Sequence, residues 1–85
     1  MEKFKNDLSL EDQIKLAIEK YLPSSIVHVG GDGRHFEIQV VSHEFEGKRT
    51  LEKQRMVYEA LKHLMEGSNA PVHAIARLET LTPSS

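Results

Sequence analysis

Cysteine is absent from this sequence. The chain therefore forms no disulfide, and it offers neither a thiolate nucleophile nor a thiolate metal ligand. Aromatic residues are scarce, at 6% of the chain, and are not clustered into a platform on which bases could stack. Basic residues are also in deficit, 11 against 13 acidic ones, for a formal charge of −2. That balance argues against a general electrostatic grip on nucleic acid, although local patches survive it. Apolar runs are only a few residues long, far short of the ~20 that span a bilayer. Residues 1–8 are polar and mixed in charge, with no apolar segment of the kind an export signal requires. These absences fit a cytoplasmic protein and make no case for membrane association.

What is present is enough for one domain. A chain of 85 residues buries only about 60–65% of its unfolded surface, so its core must be compact. Ser9 is a suitable helix N-cap, followed by acidic Glu11 and Asp12 at the positive end of the dipole. Leu10, Ile14, Ala17, Ile18 and Tyr21 lie on one helical face, and Pro23 ends the helix. Residues 26–30 read as a short strand, and Gly31-Asp32-Gly33 as a turn. In the next strand Phe36, Ile38 and Val40 share one face, with His35, Glu37 and Gln39 on the other. Residues 42–49 read as a loop containing Phe45 and Gly47. Thr50 is placed as cap of a second helix, with Val57, Tyr58, Leu61, Leu64 and Met65 as its buried stripe. Gly67-Ser68-Asn69 stops that helix, and Pro71 keeps the chain extended. Residues 72–79 alternate as a third strand, with Val72, Ala74, Ala76 and Leu78 on one side.

The order is α-β-β-α-β. A helical crossover should leave strands two and three parallel. The expected fold class is α+β, a two-layer domain with both helices on one face of a small mixed sheet. Residues 1–8 are expected to be a flexible N-terminus, 9–80 the single domain, and 81–85 a tail.

Topology gives meaning to three of the five histidines. The hairpin and the parallel crossover bring the starts of strands two and three to one end of the sheet. His35 and His73 open those strands and, by parity with inward Phe36 and Val72, point to the open face. His28 faces the same way if Val27 and Val29 point inward. A surface imidazole is a potential metal ligand, but solvated strand histidines are also ordinary. His43, in the loop, and His63, near the end of the second helix, read as surface residues.

Other signals are weaker. Gly30-Gly31-Asp32-Gly33 resembles a phosphate-cradling loop only superficially, because a strand follows where a helix N-terminus is needed. Lys48, Arg49 and Lys53 make a modest positive patch at the start of the second helix, or ordinary surface charge. No nucleophile elbow, nucleophile–base pair or pair of acid–base carboxylates can be placed, so an enzyme is not expected.

Several short motifs, in order, carry a resemblance. His28-Val-x-Gly-Asp-Gly-x-His35-Phe36 is followed by Phe45-x-Gly47, Arg55-x-Val57-Tyr58, Leu61, Val72-His73-Ala74 and Leu81-Thr82-Pro83. From about residue 14 to 83 the chain resembles the BolA-like proteins, most closely the bacterial subgroup typified by an acid-stress homologue. The resemblance implies a fold related to type II KH domains, in agreement with the element order. It also implies partnership with a monothiol glutaredoxin and a [2Fe-2S] cluster shared with that partner and glutathione, in trafficking, sensing or stress response. The family's C-terminal histidine ligand falls on His73, and its second candidate ligand on His35, with His28 less favoured. A homodimer is also open. The family's association with transcription makes DNA binding through Lys48, Arg49 and Lys53 the alternative. However, Gly47-Lys48-Arg49-Thr50 lacks the second glycine of a GXXG clamp.

Overall fold

The computed structural model describes residues 8–32 and 35–83. Most of the expected flexible N-terminus, and the last two residues of the expected tail, lie outside them. The first helix, α1, spans Leu10–Tyr21, and the Ser9 hydroxyl accepts the Asp12 N–H at 3.1 Å. Ile14, Ile18 and, just past the helix, Leu22 are buried at steps of four. Tyr21, expected on the buried face, is half-exposed. Its amphipathic ring tolerates a position at the margin of the core where an aliphatic residue would lose more.

Strand β1, Ile26–Gly31, pairs antiparallel with β2, His35–Val41. Gly31 has φ 134°, and a Cβ there would collide with the His35 carbonyl oxygen. The turn is thus closed by a residue that has to be glycine. After β2 the chain enters a short 3₁₀ turn, His43–Phe45, where sequence alone indicated a loop. Buried Ser42 accepts the Glu44 N–H at 3.0 Å, and Phe45 is completely buried.

The second helix, α2, spans Thr50–Met65. Its N-cap is Arg49 rather than Thr50. The Glu52 carboxylate accepts the Arg49 N–H at 2.9 Å, the acidic half of a capping box, and this draws Thr50 into the first turn. Val57, Ala60, Leu61 and Leu64 are the buried residues of α2. Tyr58 is 41% exposed, so it is not part of that stripe. Small Ala60 takes the inward position, where α1 and α2 pack together.

Strand β3 spans Ala74–Leu81 and runs parallel to β2, giving the order β1-β2-β3. Val72 and Leu78 keep their expected inward side, but Ala74 and Ala76 do not, and Ile75 turns inward. A register shift between Phe36 and Glu37 sets Ile75 beside Phe36 and Leu78 beside Ile38, with exposed Ala76 between them. Ile75 and Leu78 therefore pack on the core, and Ala74 and Ala76 do not share that face. A one-residue bulge has this effect because strand parity has period two. Val72 is buried ahead of the strand, and its N–H donates to the Leu64 carbonyl at 3.0 Å. Leu81 still pairs with Val41, so β3 extends one residue beyond the expected domain limit. Both helices contribute to one core cluster with the inward residues of β1 and β2, leaving the opposite sheet face open.

Candidate functional site

The end of the sheet where β2 and β3 begin is built by the tight turn after β1. Asp32 brackets His35 there. The Asp32 Oδ1 accepts the His35 backbone N–H at 2.9 Å, while the Asp32 N–H donates to the His35 carbonyl at 3.4 Å. This is an Asx-type closure, in which an aspartate side chain replaces a backbone acceptor. The other carboxylate oxygen, Oδ2, lies 4.0 Å from His35 Nδ1, with both side chains largely in solvent.

His35 pairs with Ala74, the first residue of β3, and His73 immediately precedes it. The two histidines therefore flank one sheet end, as topology required, and both are exposed rather than covered by the helices. One detail differs. His73 sits just ahead of β3 instead of opening it, so strand alternation does not fix its direction. His28 is exposed opposite Gln39 and belongs elsewhere. Gln39 is four residues along β2 from His35, roughly 13 Å at strand rise.

The centre of the open face is polar. His28, Glu37, Gln39 and Arg77 line a shallow depression there, and Gln39 Nε2 donates to Glu79 Oε1 at 2.9 Å. Alternation counted from Val72 already puts Arg77 and Glu79 on the open side; what it does not show is that they stand beside Glu37 and Gln39 in the ladder. Beyond them Ile26, Val41 and Leu81 stand in register across the three strands, at the end remote from His35.

His43 is exposed in the 3₁₀ turn, and His63 lines a groove between α1 and α2. Lys48 and Arg49 are exposed and Lys53 is half-buried, all at the start of α2. That start follows the finish of β2, whereas the histidine pair sits where β2 begins. The basic residues and the two histidines thus belong to different regions of the fold.

Among the described residues, no three His, Asp or Glu side chains converge to hold a metal ion. The candidate donors at the sheet end are two imidazoles, and the chain contains no thiolate. Such a set fits one iron of an iron–sulfur cluster, as imidazoles replace thiolates on one iron of Rieske centres. It cannot by itself hold a cluster, whose other iron requires sulfur ligands.

Relatives place this geometry in context. The chain is 30% identical over 73 residues to the Acid stress protein IbaG of Escherichia coli strain K12, covering 86% of this chain and 83% of that protein. It is 46% identical over 54 residues to Protein BOLA2 of Arabidopsis thaliana, covering 64% of this chain and 54% of that protein. The chain thus spans only about half the length of the plant relative. Among solved structures, a bolA protein homologue from Coxiella burnetii superposes with a TM-score of 0.74 at 39% identity, covering 89% of this chain and 94% of that one. The profile described as BolA-like protein matches residues 9–85, and on that match the chain belongs to the BolA-like family.

Proposed function

We propose that this chain is a non-enzymatic adaptor that shares a [2Fe-2S] cluster with a monothiol glutaredoxin and glutathione, and that His73 and His35 are its ligands. The observation that carries this reading is the pair of exposed histidines at one sheet end of a BolA-like chain that has no thiol. Imidazole can serve one iron, so the partner and glutathione supply the sulfur ligands. Once bound, the cluster is a redox centre whose potential follows its ligands and exposure. The protein's part is to present two nitrogen donors on a rigid sheet end. Co-expression with a monothiol glutaredoxin, followed by purification and a visible spectrum, tests the reading. A coloured complex containing both chains is expected.

DNA binding is the second reading, favoured by Lys48, Arg49 and Lys53 around the start of α2, where the helix dipole adds positive potential. Three phosphate contacts give a salt slope of only about −2.7, so binding should be weak and vanish with modest salt. Gel shifts across a salt series test this. Binding that persists near physiological salt, and is lost in Arg49→Ala/Lys53→Ala, would put DNA first.

A further inference from the structure

We propose that Asp32 is a positioning residue for His35, taking the ring Nδ1–H on its carboxylate and so offering Nε2 to iron. The iron-directed half of this inference rests on the proposed function; the choice of tautomer does not.

Two hydrogen bonds and one carboxylate oxygen just beyond hydrogen-bond range converge on His35 from one residue. The Asp32 Oδ1 and backbone N–H fix the His35 main chain at 2.9 and 3.4 Å, and Oδ2 stands 4.0 Å from Nδ1. Gly31 adds a constraint from the other side, since the His35 carbonyl fills the space where a Cβ would sit. With the backbone held in this way, the imidazole swings mainly about its own side-chain torsions. The nearest anionic oxygen then lies on the Nδ1 side of the ring.

Which ring nitrogen carries the proton is set by the hydrogen bond the other groups allow. A free histidine side chain prefers the Nε2–H tautomer, which leaves Nδ1 as the lone-pair donor beside its own backbone. A carboxylate at Nδ1 reverses that preference and turns the unhindered Nε2 lone pair outward. Metal-binding histidines commonly use such a carboxylate on the non-ligating nitrogen, which orients the ring and raises its basicity. The sheet end has the same division of labour. Asp32 orients and His35 ligates, with His73 just ahead of the neighbouring strand.

The competing explanation is that Asp32 serves the turn alone. Asp32→Asn separates the two, because an amide oxygen still accepts the His35 N–H while the anionic oxygen facing Nδ1 is lost. Asp32→Ser, whose hydroxyl can close the turn in the same way, is the second variant in case the first folds poorly.

The experiment has two readouts. The first is the long-range ¹H–¹⁵N spectrum of the metal-free protein at about pH 8.5, where imidazoles are neutral. His35 should be mainly Nδ1–H in the wild type and mainly Nε2–H in Asp32→Asn, with the other four histidines unchanged. The second is cluster lifetime in the complex with a monothiol glutaredoxin and glutathione. Asp32→Asn should shorten it about tenfold, the lower end of the effect of outer-shell partners, because the pair is solvent-exposed. The same Nε2–H tautomer in both proteins would overturn the inference whether or not the glutaredoxin binds. A tautomer change with an unaltered cluster lifetime would overturn its iron-directed half. Failure of the wild-type pair to form any coloured complex would remove that half together with the proposed function, leaving the tautomer result to stand by itself.

Discussion

Phe45→Ala should lower the unfolding free energy by about 3–5 kcal/mol, a large share of what a domain of this size possesses. Phe45 has no exposed surface, although it lies in the connection between β2 and α2. The Ser42 cap pins the turn that carries it, so the backbone has little freedom to collapse into the space the ring leaves. Cavity and transfer costs then add. Tyr58→Ala is the informative contrast. At 41% exposure Tyr58 should cost under about 1 kcal/mol, within the range of surface substitutions. Urea unfolding followed by far-ultraviolet circular dichroism measures both. Equal midpoints for the two variants would mean that the 3₁₀ turn is not part of the core.

His73→Ala should have the largest effect on cluster binding of any single histidine replacement. Outer-shell partners of a metal site typically contribute 10–100-fold, so removal of a direct ligand should shorten cluster lifetime by at least about tenfold. His35→Ala should act in the same direction but less. His63→Ala should leave spectrum and lifetime unchanged, because His63 lines the groove between the helices. Unchanged circular dichroism must accompany each variant, so that lost binding is not lost folding. An unaltered spectrum and lifetime in the His73→Ala complex would remove His73 as a ligand.

Those two variants also mark where sequence reading succeeded and where it stopped. The α-β-β-α-β order was legible because each element has a clear period and a clear stop, such as Ser9 and Pro23 around α1 or Gly67 after α2. The shared sheet end of His35 and His73 followed from connectivity, without any knowledge of side-chain packing. The burial of Phe45 went unread and Tyr58 was misplaced, for separate reasons. A three-residue 3₁₀ turn is too short to show periodicity, and a tyrosine at the edge of an apolar stripe looks like a core residue. Ala60 was missed because a small side chain gives a weak hydrophobic signal even where helices touch.

The bulge opposite Phe36 had the widest consequences. It let Ile75 face the core together with Leu78, three residues on, and left Ala76 outside the ladder, while Arg77 and Glu79 kept the open side that alternation from Val72 gives them. Nothing in the residues 72–79 announces an extra residue in the ladder, since Ala74, Ile75 and Ala76 could serve on either side. Asp32 was legible as a turn residue and not as a neighbour of the His35 ring. That relation depends on where the second carboxylate oxygen falls once the turn has closed.

Cluster sharing is tested most directly by visible absorption of the purified proteins, alone and together. Alone, this chain should be colourless, since it has no thiolate for a cluster. Mixed with a monothiol glutaredoxin, glutathione, iron and sulfide, it should form a coloured complex with a spectrum distinct from that of the glutaredoxin homodimer. A spectrum identical to the homodimer's, with this chain eluting separately and colourless, would contradict cluster sharing.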